Sequence, residues 1–344
     1  MMEFMVPGKL FIAGEYAVTH PGVPGVVFAV DRFMQVTIAP ADDYRVTSDL
    51  LGEVTLEAPT AWPTKRANTP WQLVSAAFDV TYAYMQTKAQ PTPGFHLTLT
   101  SHMTEAGKKI GLGSSGATVV GVIKAVASFW QLTLTPLEIY RLAVLAMLHT
   151  PKFNHGSFGD IAAASFGGLL LYAKPTTQGF INQTDLNELL TMPWPNLLIE
   201  PLDWPATWSI QIGWTQAPAD TQSQLVKQPT AALMQAFDAD NTMIVSHLVH
   251  AIKTQDFTNF AKAVLADHLL ISDYLRQTNR PYLTPVLQQL IADANALNLP
   301  AKVSGAGNGD NGLAFSDGLA MIAELHQQWQ SHAIMPLPLN IYYY

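Results

Sequence analysis

Cysteine is absent from all 344 residues, which excludes disulfides, thiolate metal sites and a cysteine nucleophile. Charge is sparse too, at 13% of the chain, and with 26 acidic residues against 18 basic ones the net charge is -8. Such a surface has no broad electrostatic grip on nucleic acid or an anionic membrane, so any anionic ligand must meet a local cluster of cations. Long apolar runs are missing. The longest, Ile161 to Ala173, is interrupted by Ser165 and the pair Gly167–Gly168, and falls short of the roughly 20 residues that span a bilayer. The opening MMEFMVPGKLFIAGEY has neither the basic start nor the continuous apolar stretch of a secretory signal, so a cytoplasmic protein is expected. No internal repeat, no low-complexity tract, no G-x-x-x-x-G-K-S/T phosphate loop and no G-x-S-x-G elbow occurs.

What is present is a chain 49% hydrophobic, enough to bury a large core and to divide into two domains. Strand-like runs at Lys9 to Ala13 and Gly25 to Ala39 flank a loop marked by His20, Pro21, Gly22 and Pro24. Helical spacing follows at Trp71 to Met85, alternation at Phe95 to Thr100, and helical spacing again at Ala117 to Trp130. Thr135 and Pro136 start a further helix that runs to His149, and Leu169 to Tyr172 reads as a strand. The stretch Thr191 to Pro205 has no period and is read as the boundary between domains 1–195 and 196–344. Beyond it come a strand at Trp208 to Trp214, helices over Thr230 to Leu275, Thr284 to Leu297 and Leu319 to Trp329, and short strands at Ala301 to Val303 and Leu313 to Phe315. A terminal strand with Pro336 and Pro338 suits a sheet edge.

Four segments carry chemistry. In Lys108-Lys109-Ile110-Gly111-Leu112-Gly113-Ser114-Ser115-Gly116, small residues and hydroxyls open a helix, where unpaired amides and the positive end of the helix dipole favour a phosphate. The plainer alternative is a glycine turn with a serine cap. The same string matches G-x-G-x-x-G, but no strand ending in an acid follows the helix, as a dinucleotide fold requires. In Asn154-His155-Gly156-Ser157-Phe158-Gly159-Asp160, the carboxylate either caps a short helix or serves a site. The glycine-dense run Lys302 to Gly312 exceeds what a hairpin needs and implies a close approach of backbone to a ligand or another loop. Lys9, in Pro7-Gly8-Lys9-Leu10-Phe11-Ile12-Ala13-Gly14-Glu15-Tyr16, gains weight only from the other three.

In this order and at these separations, PGKLFIAGEYAV, GLGSSG, GSFGDIAA and KVSGAGNGD resemble the GHMP kinases, the group of galactokinase, homoserine kinase, mevalonate kinase and phosphomevalonate kinase. The resemblance runs from about Lys9 to Phe315 and implies a two-domain α+β fold with an ATP and substrate cleft between the domains. It implies Lys9, Lys109 and Asp160 as catalytic residues, and Lys108, Gly111, Leu112, Gly113, Ser114, Ser115 and Gly116 around the ATP phosphates, with Ser114 and Ser115 on Mg²⁺. Ser157, Lys302, Ser304, Gly305, Ala306 and Gly307 are its weaker candidates for substrate contacts.

Within the group, Gly107-Lys108-Lys109-Ile110 before GLGSSG, the strand ending Gly213-Trp214-Thr215, and Gly309-Asp310 are most similar to the phosphomevalonate kinases, whose small-molecule acceptor is phosphomevalonate. An acceptor that already carries a phosphate needs more cation around it than an alcohol does. Two positions depart from the family pattern, which commonly has Gly where this chain has Asn308 and often Cys where it has Asn311. Mevalonate kinase activity and a non-catalytic binding protein of the same fold stand as alternatives. No nucleic-acid or membrane partner is expected, and a monomer or homodimer is.

Overall fold

The computed structural model describes residues 1–64, 68–216 and 227–344. In chain order these form β1 (Met2–Ala13), β2 (Pro24–Pro40), β3 (Tyr44–Ser48), β4 (Gly52–Leu56), α1 (Gln72–Thr87), β5 (Phe95–Ser101), β6 (Thr104–Glu105) and β7 (Lys108–Lys109). Then come α2 (Ser114–Phe129), α3 (Pro136–Leu148), α4 (Gly159–Phe166), β8 (Leu169–Ala173), α5 (Leu186–Thr191), β9 (Leu198–Leu202) and β10 (Ser209–Trp214). The remainder is α6 (Ala231–Thr254), α7 (Phe257–Gln277), α8 (Pro285–Ala296), β11 (Ala301–Ser304), β12 (Asn311–Ser316), α9 (Ile322–Ser331) and β13 (Met335–Leu337).

β2 organises the first sheet. One of its edges pairs with β1, while the other is divided between β8 at Pro24 to Phe28 and β5 at Met34 to Pro40. The sheet therefore runs β4-β3-β5-β2-β8-β9 with β1 beside β2. Gly25 to Val30 are buried without a break, as in a strand covered on both faces, whereas Met34 to Ala39 alternate. Helix α2 packs on this sheet so closely that a methyl on Gly121 would lie 2.7 Å from Val36 Cγ2. Helix α3 begins as its sequence requires: Thr135 and Glu138 form a capping box, with Pro136 in the first turn.

The second sheet, β11-β12-β10-β13, is antiparallel and backed by α7, α8 and α9. β13, with Pro336, lies at its edge as expected, since proline cannot donate to a further strand. The helical stretch from Thr230 is two helices, because Gln255 takes a left-handed turn and Asp256 caps α7 through Asn259 N. No helix of the described residues is long and apolar enough to cross a membrane.

The boundary expected at 195/196 falls just before β9. β9 pairs with β8, from Leu169↔Leu202 to Ala173↔Leu198, so the first sheet keeps the chain to residue 202. Glu200 and Pro201 break the alternation that would have marked this strand. The chain's last residues also return to the first sheet, where Tyr342 N donates to Ala29 O and Gly168 N donates to Tyr342 O. One large core runs from Val6 through Trp214 to Phe315, so the two sheets share buried apolar surface.

Candidate active site

The first glycine loop is shaped by close approaches that only glycine permits. Gly111 and Gly113 have φ of +84° and +75°, and Gly113 is the N-cap of α2 with no side-chain cap, so the first amides of the helix face outward without a serine lid. The serine cap considered above is therefore not what forms. A methyl on Gly113 would lie 3.0 Å from Lys9 Cγ and 3.2 Å from Asp160 Cβ, and one on Gly116 would lie 2.6 Å from Asp160 Oδ2. β1 reaches the loop from below: Lys9 N donates to Leu112 O at 2.8 Å, and Gly8 leaves room for that carbonyl. A register break at Pro7/Gly8 turns the strand there. Lys9, Asp160 and the GLGSSG loop thus meet at one place, although Lys9 lies more than 100 residues before the other two in the chain.

Asp160 is not the cap of α4. Phe158 holds that position in a left-handed conformation, while Asp160 sits in the first turn and its Oδ1 accepts from Ile161 N at 3.0 Å. Burial raises the Asp160 carboxyl above its usual range; the Lys9 ammonium and the amides of Ile161 and Gly116 work against that. Burial likewise lowers the Lys9 ammonium, opposed by Asp160, Glu15 and Asp310. Lys9 is thus a partly buried cation facing carboxylates from both halves of the chain. Ser157 lies on the approach to Asp160, with its hydroxyl accepting from Gly159 N at 3.3 Å.

Lys108 and Lys109 are exposed on β7, the second strand of a two-residue hairpin with β6. Lys108 Nζ donates to Gln216 O at 3.1 Å. Lys109 borders a cavity of about 230 Å³ whose wall includes Ser114, Ser115 and Thr118 of α2, Asp49 and the apolar Val74 and Met103. Both lysines are exposed, whereas Lys9 is partly buried.

Lys302 and Ser304, expected to touch substrate, have their polar groups engaged within the protein. Lys302 is fully buried, its ammonium 2.6 Å from Glu15 Oε1 and 2.9 Å from Asp267 Oδ2. Ser304 Oγ donates to Phe11 O at 2.9 Å and accepts from Phe11 N at 3.0 Å. Both residues join β11 to the end of β1, and the glycine loop after them is held by the same strand. Gly305 N donates to Glu15 Oε1 at 3.2 Å, and Tyr16 OH donates to Ala306 O at 2.6 Å. Gly307 lies flat on Tyr282, where a methyl would come 2.3 Å from Cδ2.

Sequence reasoning missed two site residues as contacts. Asp310 packs its carboxyl on Gly111, 2.6–2.9 Å from where a methyl would be, and Asn311 Nδ2 donates to Ile110 O at 2.6 Å. The density of glycine in the loop was the available signal, since it marked a close approach without naming the partner.

Comparison with known proteins agrees with this geometry. The family described as GHMP kinases N terminal domain matches residues 72–168, and that described as GHMP kinases C terminal matches residues 248–334. A phosphomevalonate kinase of Streptomyces sp. (strain CL190) is 33% identical, with 97% of this chain and 95% of that protein covered. Streptococcus pneumoniae phosphomevalonate kinase, solved in complex with phosphomevalonate and AMPPNP, superposes with a TM-score of 0.85 at 25% identity over 99% of both chains. Methanococcus jannaschii mevalonate kinase shares the fold alone, with a TM-score of 0.70 at 18% identity over 99% of this chain and 98% of that one. With a lysine, a carboxylate and an uncapped glycine loop converging between two sheets, and with relatives that match nearly end to end, the chain belongs to the GHMP kinase family.

Proposed function

We propose that this protein is a phosphomevalonate kinase, which transfers the γ-phosphoryl group of ATP to the phosphate of (R)-5-phosphomevalonate and releases ADP and the 5-diphosphate. The observation that carries the reading is the packing of Gly113 against both Lys9 and Asp160, which places a partly buried lysine and a carboxylate at the open end of a helix. The relatives from Streptomyces and Streptococcus support the choice of acceptor.

In this reading the amides at the start of α2 hold the ATP phosphates, and the nucleoside fills the adjoining cavity beside Ser114 and Thr118. An oxygen of the acceptor phosphate attacks Pγ as the bond from Pγ to the ADP oxygen breaks. Charge on the transferring group is met by the partly buried Lys9, and the exposed Lys109 guides the polyanions in. Mg²⁺ fits this site as an ion held mainly by phosphate oxygens. The hydroxyls of Ser114 and Ser115 and the carboxylate of Asp160 lie around a single helical turn, and the described residues contain no cluster of three His or acidic ligands that would form an all-protein cage. Ser114, Ser115 and Asp160 would hold the ion, which would supply positive charge to the transferring phosphoryl group. Asp160 positions Lys9 and the ion; the acceptor phosphate, with a second pKa of about 6, is already deprotonated at neutral pH.

The test is ADP release measured with mevalonate, phosphomevalonate and diphosphomevalonate supplied separately. Turnover with phosphomevalonate alone is expected. Turnover with mevalonate in its place would make the chain a mevalonate kinase, and none with any acceptor would leave a binding protein.

A further inference from the structure

The first glycine loop is gripped from two sides. From the first sheet, Lys9 N holds the carbonyl of Leu112. From the second, Asn311 holds the carbonyl of Ile110, through an Nδ2 to O bond of 2.6 Å. Gly111, with φ of +84° and the Asp310 carboxyl packed on it, is the one residue between these two held carbonyls. A shift at Ile110 is therefore passed through Gly111 to Gly113 and to the amides that open α2.

Asn311 is itself immobile. It is fully buried at the start of β12, opposite Trp214 in β10, and the residue before it is anchored to the second sheet because Thr215 N donates to Asp310 O at 2.9 Å. Ile110 is equally buried, and its own amide donates to Met103 O at 3.1 Å. The Asn311 carboxamide finds no donor for its Oδ1 among the described residues, so one half of a buried polar group goes unsatisfied. An aliphatic side chain would avoid that penalty, which directs attention to what the other half does.

We propose that Asn311 is a positioning residue for the nucleotide: its amide sets the phosphate loop from across the domain junction, and so governs ATP affinity while leaving the acceptor's contacts alone. The proposal rests on the kinase reading above and deepens it.

Asn311→Ala is expected to raise the KM for ATP about tenfold, the equivalent of losing one buried hydrogen bond, with the KM for the acceptor unchanged. Asn311→Asp adds a readout that a merely structural role would not give. A buried carboxyl titrates above its ordinary range; ionised, it repels the Ile110 carbonyl, and protonated, it donates to it. Calorimetric affinity of this variant for a non-hydrolysable ATP analogue should thus recover as pH falls from 8 to 6, relative to the wild type. Asn311→Ser, smaller and neutral, replaces it if the acid variant does not fold at pH 8. Wild-type ATP affinity in these variants, or an equal rise in both KM values, would overturn the proposal. Because the calorimetry needs no acceptor, it decides the matter even if the wild type turns over no substrate.

Discussion

A methyl group on Gly116 would stand 2.6 Å from Asp160 Oδ2, and nothing else about the position forbids one, since its backbone is ordinary helix. Gly116→Ala should therefore keep or gain helix stability while pushing the carboxylate off its place. We expect kcat to fall about a hundredfold with little change in Tm, which steady-state kinetics and a thermal melt would check. The same packing predicts an order among the charged residues. Lys9→Met removes the cation that meets developing charge and should cost about a thousandfold in kcat. Asp160→Asn should cost less, because an asparagine oxygen still accepts from Ile161 N and the acceptor needs no base. An Asp160→Asn enzyme as inactive as the lysine variant would instead make that carboxylate a proton acceptor. Asp160 was legible as an acid after a glycine loop, but whether it capped the helix was not, because that depended on Phe158 adopting φ of +59° ahead of it.

At the scale of elements, most helices and strands could be read from periodicity, and the exceptions have plain causes. α3 announced itself through Thr135, Pro136 and Glu138. β9 did not, because Glu200 and Pro201 interrupt a strand of five residues, and β3 and β4 are equally short. Helix α7 carries a further consequence in His268, which faces Lys302, Asp267 and the Tyr282 ring. Burial first, and Lys302 second, push this imidazole down to about 4. A lowered folded-state pKa contributes stability that is present above the unfolded value of about 6.5 and is lost as pH falls toward 4. Denaturant titrations at pH 7 and pH 5 should show that decline, bounded at about 3 kcal/mol, and His268→Gln should flatten it. A His268→Gln protein that loses stability just as steeply between those pH values would rule out this imidazole as its source.

The whole molecule is joined by an ion cluster that no local pattern announces. Glu15 follows β1, Asp267 lies in α7 and Lys302 in β11, and all three are buried. Burial raises the Glu15 carboxyl, with Lys302 opposing and Asp267 reinforcing the shift. Two carboxylates share one ammonium, so Lys302→Met would leave both facing each other and should cost about 3–5 kcal/mol in chemical denaturation. Asp267→Asn should cost far less, since the Glu15–Lys302 pair remains and an asparagine oxygen can still accept from Gly14 N. Equal losses in the two variants would show that the cluster acts through packing and not charge. The family resemblance offered Lys302 as a weaker candidate for a substrate contact; only the folded chain places it against two acids. By itself the sequence determined most of the elements, the two glycine loops and the set of groups able to hold phosphates, since these follow from local backbone preference and side-chain chemistry. Tertiary structure alone decided which of those groups meet, bringing Lys9, Asp160, Asp310 and Asn311 to one loop and seating Lys302 and Ser304 against the end of β1 and the residues after it, because contacts between residues distant in the chain depend on how two sheets pack and leave no period in the sequence.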